Sequence, residues 1–111
     1  MVNPILKQEI MQLEADFCAA LSDPTRIFLL YALNEGPLNV TELTNELALP
    51  QPTISRHLKV LRERGLVFTE RHGTVITYHL TDQRVIQAMD LLRCAMRDRL
   101  TQRANLVTEL G

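Results

Sequence analysis

Basic and polar side chains recur at helical spacing between Gln51 and Arg62. Counting about 100° per residue places Ile54 and Leu58 on one face of such a helix, with Arg56 and Lys59 on or near the opposite face. A guanidinium group presents a fork of donors that matches the acceptor edge of guanine. The outer face could therefore read base pairs in a DNA major groove.

Other residues could contact the same duplex. Polar residues at the helix start could donate hydrogen bonds to phosphates or base edges, and basic residues further along could neutralise phosphate charge. A basic hairpin tip over residues 71–74 could reach the DNA backbone or the minor groove. The complete set of predicted DNA contacts is Gln51, Thr53, Ser55, Arg56, Lys59, Arg62, Arg71, His72 and Thr74.

The two cysteines, Cys18 and Cys94, are too far apart in sequence for a metal ribbon and too few for a disulfide framework. Arg93 and Arg97 flank Cys94, so we expect this thiol to be partly exposed and to favour the thiolate, whereas acidic neighbours make Cys18 the less reactive. Two thiolates could bind a trivalent arsenical or another soft ion, or form a disulfide, whereas zinc would lack ligands. The alternative is that both are small buried hydrophobic residues.

Isolated Pro and Gly residues divide the chain into short elements. Asp23 with Pro24 is typical of a helix start, Gly65 of a helix end, and Asp82 could cap the last helix. Alternation of apolar and polar residues predicts a β-hairpin around a turn at residues 72–73. The predicted elements are helices over about residues 4–21, 24–33, 41–48 and 52–64, hairpin strands over 66–71 and 74–80, and a last helix from 82 to about 108. The predicted fold is mainly α with a β-hairpin wing, a winged helix-turn-helix.

The first and last helices carry apolar stripes longer than so small a core can cover. The stripes comprise Leu6, Ile10, Leu13 and Phe17 in the first helix and Val85, Met89, Leu92, Met96 and Leu100 in the last. We therefore expect a homodimer through residues 4–21 and 82–108.

The length of 111 residues predicts a single domain over 1–111, and the 46% hydrophobic content is enough for a packed core. The formal charge of −1 hides an asymmetry. Residues 1–50 carry seven acidic and two basic side chains, whereas residues 51–111 carry ten basic and six acidic ones, so the second half could face a polyanion. No apolar run approaches the roughly 18 residues that span a bilayer, which predicts a cytoplasmic protein with no membrane partner.

The sequence offers no recognisable catalytic arrangement. It contains no nucleophile with its base, no glycine-rich phosphate loop and no pocket-like pair of carboxylates. The three histidines fall in the helix over 52–64 (His57), at the wing tip (His72) and in the second wing strand (His79). We expect His57 to pack beside the core and His72 to contact phosphate. We therefore expect no enzyme and no required cofactor.

The stretch LPQPTISRHLKVLRERGLV at 49–67, preceded by ALSDPTR at 20–26, resembles the ArsR/SmtB family of bacterial transcriptional repressors. The resemblance covers about residues 15 to 100. It implies a dimeric winged helix that binds an imperfect palindromic operator and leaves it when an inducer binds or a thiol is modified. Pro50 departs from the family pattern, because a capping Ser is common at this place before the recognition helix.

The metal sites that the resemblance implies do not carry over. Where one family site has a Cys-x-Cys pair, this chain has Asn39 and Thr41. At a second site on the last helix, Asp82 and Asp98 match but Arg84 and Ala95 replace the two histidines, which leaves no plausible zinc site. Asp82 is better explained as a helix cap and Asp98 as a solvated charge.

The sequence thus favours a sequence-specific repressor released from double-stranded operator DNA by an inducer acting on Cys18 and Cys94. One alternative is a winged helix that serves as a protein–protein interaction module. This would leave unexplained why four basic residues gather on one side, namely Arg56, Lys59, Arg62 and Arg71. A second alternative is a constitutive DNA binder without a sensing site.

Overall fold

The computed structural model describes residues 3–110, with the backbone alone at Leu110. Its elements form two compact units, one ending at Thr81 and the other beginning at Asp82. The first unit contains α1 (Pro4–Leu13), a π-helical segment (Glu14–Cys18), α2 (Pro24–Asn34), β1 (Leu38–Asn39), α3 (Val40–Leu47), α4 (Gln51–Glu63), β2 (Val67–His72) and β3 (Val75–Leu80). The second unit is built on α5 (Arg84–Leu110). The predicted winged helix-turn-helix is confirmed.

Capping residues explain where the first two helices begin. The Asn3 side chain accepts a hydrogen bond from the Leu6 N–H at 2.8 Å, and Asp23 accepts from the Thr25 N–H at 2.8 Å. Each cap is followed by a proline, whose fixed φ suits the first helical position. The start of α2 was predicted correctly. The first helix was predicted as one regular helix, which is wrong at Glu14–Cys18, because apolar spacing does not distinguish an inserted π turn.

The core of the first unit lies among α2, α3 and α4. Its fully buried large side chains are Leu29, Leu30, Leu43, Ile54, Leu58, Leu61 and Leu66. These leucine and isoleucine residues come from all three helices and from the entry to β2, so their burial fixes the position of α4 against α2 and α3.

The wing is the outer part of a three-stranded antiparallel sheet of order β1-β3-β2. Its register pairs Thr69 with Tyr78 and Arg71 with Ile76. Gly73 has φ +64°, which places the tight turn one residue later than predicted. Strand β1 was not predicted, because a two-residue strand is too short to show alternation.

The second unit begins with Asp82, whose Oδ1 accepts from the Arg84 N–H at 2.8 Å. This confirms the capping role predicted for Asp82. Within α5, Ile86 and Met89 are buried, whereas every described side chain from Leu91 to Glu109 is exposed. No helix within residues 3–110 is long and apolar enough to cross a membrane.

Candidate nucleic-acid interface

The element that presents most candidate contacts is α4, which follows α3 after a short turn. The N-terminus of α3 is closed by a reciprocal pair in which Asn39 Oδ1 accepts from the Glu42 N–H at 2.8 Å and Glu42 Oε1 accepts from the Asn39 N–H at 2.9 Å. Ala48 adopts a left-handed conformation (φ 54°, ψ 42°) that ends α3 and lets the chain turn. The two helices therefore have the helix-turn-helix connection that the sequence predicted.

The two faces of α4 differ sharply in burial. Ile54, Leu58 and Leu61 are fully buried, and His57 is 8% exposed. The predicted packing of His57 beside the core is therefore confirmed. On the other side, Gln51, Arg56, Lys59 and Arg62 are exposed, while Thr53 and Ser55 are half-buried. Gln51 Nε2 lies 3.5 Å from Ser55 Oγ, so these two polar side chains at the helix start contact each other.

Pro50 occupies the N-cap position of α4 and makes no side-chain capping bond, as its departure from the family pattern predicted. Its carbonyl accepts from the N–H groups of Thr53 and Ile54 at 3.0 and 3.1 Å. The first turn of α4 is thus closed by backbone alone, and no capping side chain covers this end of the helix.

The wing tip carries the remaining candidates. Arg71, His72 and Thr74 are all exposed. His72 Nε2 lies 3.4 Å from Glu70 Oε2, so an acidic side chain accompanies the basic ones at the tip. The tip therefore offers a guanidinium, an imidazole and a hydroxyl to a phosphate backbone.

His79 lies on the same face of the wing as Glu70 and stacks on Phe68, with ring centroids 4.8 Å apart. Its Nε2 is buried, lies 3.8 Å from Glu70 Oε1 and has no hydrogen-bond partner among the residues described. These contacts give His79 a packing role within the wing.

Sequence reasoning missed a polar contact that joins α2 to α4. Arg26 Nε donates to the Ala20 carbonyl at 2.6 Å, and Arg26 Nη1 lies 3.3 Å from His57 Nδ1. The two side chains are 31 positions apart, and nothing in either local pattern pairs them. Arg26 thereby connects the inner face of α4 to the backbone that follows the π-helical segment.

Both cysteines are exposed in the single chain, as predicted for Cys94. Cys94 Sγ accepts from Arg97 Nη2 at 3.3 Å. Cys18 ends the π-helical segment. The two thiols belong to different compact units.

The residues present do not fit a metal ion of the kind the family resemblance implies. Across residues 3–110, no group of three or more His, Cys, Asp or Glu side chains could hold one. Asp82 is engaged with Arg84 Nη2 at 2.6 Å, and this side-chain hydrogen bond, with the Arg84 backbone N–H, lowers the Asp82 pKa from 3.8 to about 2. The carboxylate therefore serves as a cap and ion-pair partner.

A family model described as "Bacterial regulatory protein, arsR family" matches residues 23–69, from α2 into β2. Among curated proteins, the chain is 39% identical over 79 residues to an uncharacterized HTH-type transcriptional regulator of Methanocaldococcus jannaschii. The match covers 70% of this chain and 89% of that relative.

Two solved structures resemble the fold. The transcriptional repressor BigR from Xylella fastidiosa is 37% identical, with a TM-score of 0.65 over 79% of this chain and 94% of that one. A homodimeric winged helix-turn-helix DNA-binding domain from Mycobacterium bovis is 24% identical and shares the fold, with a TM-score of 0.73 over 85% of this chain and 87% of that one.

Proposed function

This chain belongs to the arsR family of bacterial regulatory proteins, which are DNA-binding transcriptional regulators, and on that premise we propose that it is a thiol-controlled repressor. In this proposal a homodimer binds operator DNA in the cytoplasm through α4 and the wing. Chemistry at Cys18 and Cys94 then releases it.

The observation that carries the DNA-binding role is the division of α4 into a fully buried apolar face and an exposed polar face. Because the inner face is locked into the core, the outer side chains have a fixed direction in which to enter a major groove. Arg56 would read guanine, and Lys59 and Arg62 would neutralise phosphates. The exposed tip from Arg71 to Thr74 would add a second backbone contact.

Exposed apolar side chains on two helices support the homodimer. In α1, Ile10 and Leu13 are about half exposed, and in α5, Leu92 and Met96 are 69% and 56% exposed. A second copy would remove this surface from water. The twofold symmetry of such a dimer would match an operator with two half-sites, and the structurally similar domain from Mycobacterium bovis is described as homodimeric.

The exposure of both thiols supports an inducer that acts on sulfur. Trivalent arsenicals and other soft ions bind thiolates, and oxidants convert two thiols into a disulfide. The lack of imidazole ligands beside Asp82 disfavours a borderline metal such as zinc. Exposed cysteines that do no sensing would instead make the chain a constitutive DNA binder.

The deciding experiment is footprinting of the promoter upstream of its own gene, followed by affinity measurements on the protected duplex. Wild type and Cys94→Ser would each be tested reduced, oxidised with diamide, and treated with phenylarsine oxide. We expect the treated wild type to lose affinity while Cys94→Ser keeps it. Equal affinity of wild type in all three states would assign the chain to constitutive binding, and a lack of any footprint would favour the protein–protein module.

A further inference from the structure

The π-helical segment Glu14–Cys18 lies far along the chain from α4, yet it contacts the end of that helix. Arg64, the C-cap residue of α4, donates from Nη1 to the Ala15 carbonyl at 3.1 Å and to Asp16 Oδ1 at 3.1 Å. A π turn shifts the regular hydrogen-bond pattern of a helix and is often found at functional sites. Here one of its carbonyls accepts from a side chain of the DNA-reading helix.

Arg26 makes a similar connection on the other side of Cys18. It donates to the carbonyls of Ala19 and Ala20 at 3.4 and 2.6 Å and contacts His57 of α4. The carbonyls held by the two arginines therefore bracket Cys18 in sequence. We call Arg26, Arg64 and the carbonyl groups of Ala15, Ala19 and Ala20 the carbonyl clamp.

The clamp meets α4 at two separated places. His57 lies on the inner face and Arg64 at the C-terminal end, seven positions apart, which corresponds to about 10 Å along a helix. Two points of attachment fix the direction of a rigid rod as well as its position. A movement of residues 15–20 would therefore tilt or shift the face that carries Arg56 and Lys59.

We propose that Arg64 is a positioning residue for DNA binding, and that the carbonyl clamp is the route by which a change at Cys18 reaches α4. The second half of this proposal rests on the proposed thiol function. The first half needs only that α4 binds DNA.

Arg64→Gln tests the positioning role. Its operator affinity should fall by about 2- to 30-fold, the range of coupling energies carried by residues that touch no ligand. The slope of log affinity against log salt should stay at the wild-type value. A slope lower by about one would instead show that Arg64 contacts phosphate, and unchanged affinity would equally overturn the positioning role.

Asp16→Asn supplies a second test that does not depend on Arg64 variants folding. Removing an acidic group makes the protein more positive, so general electrostatics predicts tighter binding to any duplex. Asp16 also accepts from Gln12 Nε2 and is part of the clamp through Arg64. Positioning therefore predicts weaker binding to the footprinted operator with unchanged or tighter binding to a scrambled duplex. Tighter binding to both would contradict it.

A double-mutant cycle tests the route from Cys18. Cys18→Glu places a charged, larger side chain at the end of the π segment, and its effect on operator affinity is measured with Arg64 or Gln at position 64. We expect the loss caused by Cys18→Glu to shrink at least threefold in the Arg64→Gln background, whereas Cys94→Glu should act equally in both. Equal effects of Cys18→Glu in the two backgrounds would refute the route. Because the cycle uses no inducer, it decides the route even if wild type proves insensitive to thiol reagents.

Discussion

Arg26 Nη1 and His57 Nδ1 lie 3.3 Å apart and join α2 to α4 beside a core packed by apolar side chains. A guanidinium group has donors and no acceptor, so in a hydrogen bond with Arg26 the Nδ1 atom of His57 acts as the acceptor. The pair orients the ring beside the core and connects α4 to the Ala20 carbonyl, which follows the π-helical segment.

Replacing Arg26 should therefore destabilise the fold. Arg26→Met leaves the Ala20 carbonyl and His57 Nδ1 without their donor, which should lower the free energy of unfolding by about 1.5 to 3 kcal/mol. Urea denaturation at fixed protein concentration measures this loss. Arg62→Met, on the exposed face of α4, is the matched control and should change stability by no more than about 0.5 kcal/mol. Equal losses in the two variants would contradict a special role for Arg26.

Arg56 and Arg71 should differ in the kind of DNA contact they make. Arg56→Ala should cost about 1 to 3 kcal/mol of discrimination between the operator and a duplex with a changed base pair. Arg71→Ala should weaken binding to all sequences. It should also lower the slope of log affinity against log salt by about one, because one phosphate contact is lost. Titrations of both variants on operator and scrambled duplexes over a salt series distinguish the two. Identical nonspecific losses would remove the base-reading role from Arg56.

The exposed stripe of α5 should be needed for assembly. Leu92→Asp or Met96→Asp should give monomers by sedimentation and a large loss of operator affinity. A monomer can occupy only one of the two half-sites that a twofold dimer binds together. Thr101→Asp, which lies about 140° around the helix from the stripe at 100° per residue, is the control and should remain dimeric. A monomeric Leu92→Asp protein that binds operator as tightly as wild type would refute the assignment.

The cap of α5 should make stability depend on acidity. The Asp82 pKa is lowered from 3.8 to about 2 by its hydrogen bonds with the Arg84 side chain and N–H. Because the folded-state value is the lower one, the stabilisation is fully present above pH 4 and is lost as pH falls toward 2. Asp82→Asn keeps a capping oxygen without the titration, so wild type should lose more stability than the variant between pH 4 and pH 2. Parallel stability curves would show that the ion pair contributes nothing.

Local signals along the chain predicted most of the architecture. Asp23 before Pro24 marked the start of α2, and the alternation after Leu66 marked the wing, because caps and strand periodicity depend on neighbours within a few positions. The Asn39–Glu42 capping pair was also readable from its spacing, and it would have placed the start of α3 one residue earlier than predicted.

Long-range polar contacts of the candidate site could not be predicted in this way. Arg64 and Asp16 are 48 positions apart, and each alone looks like a solvated surface charge. The π turn that ends at Cys18 could not be predicted either, because the apolar residues around it have spacings that suit a regular helix. Only the packing of the helices brings these groups within bonding distance.

The unbroken exposure of α5 from Leu91 to Glu109 has a consequence for gene dosage. Most of the stability of a helix in a protein comes from packing of its apolar face, so in the proposed dimer the persistence of this stretch depends on how many copies are present. Mass action then makes the melting temperature rise with protein concentration. A cell holding few copies would have fewer folded, paired molecules than the copy number suggests, and repression would fall more steeply than in proportion to expression.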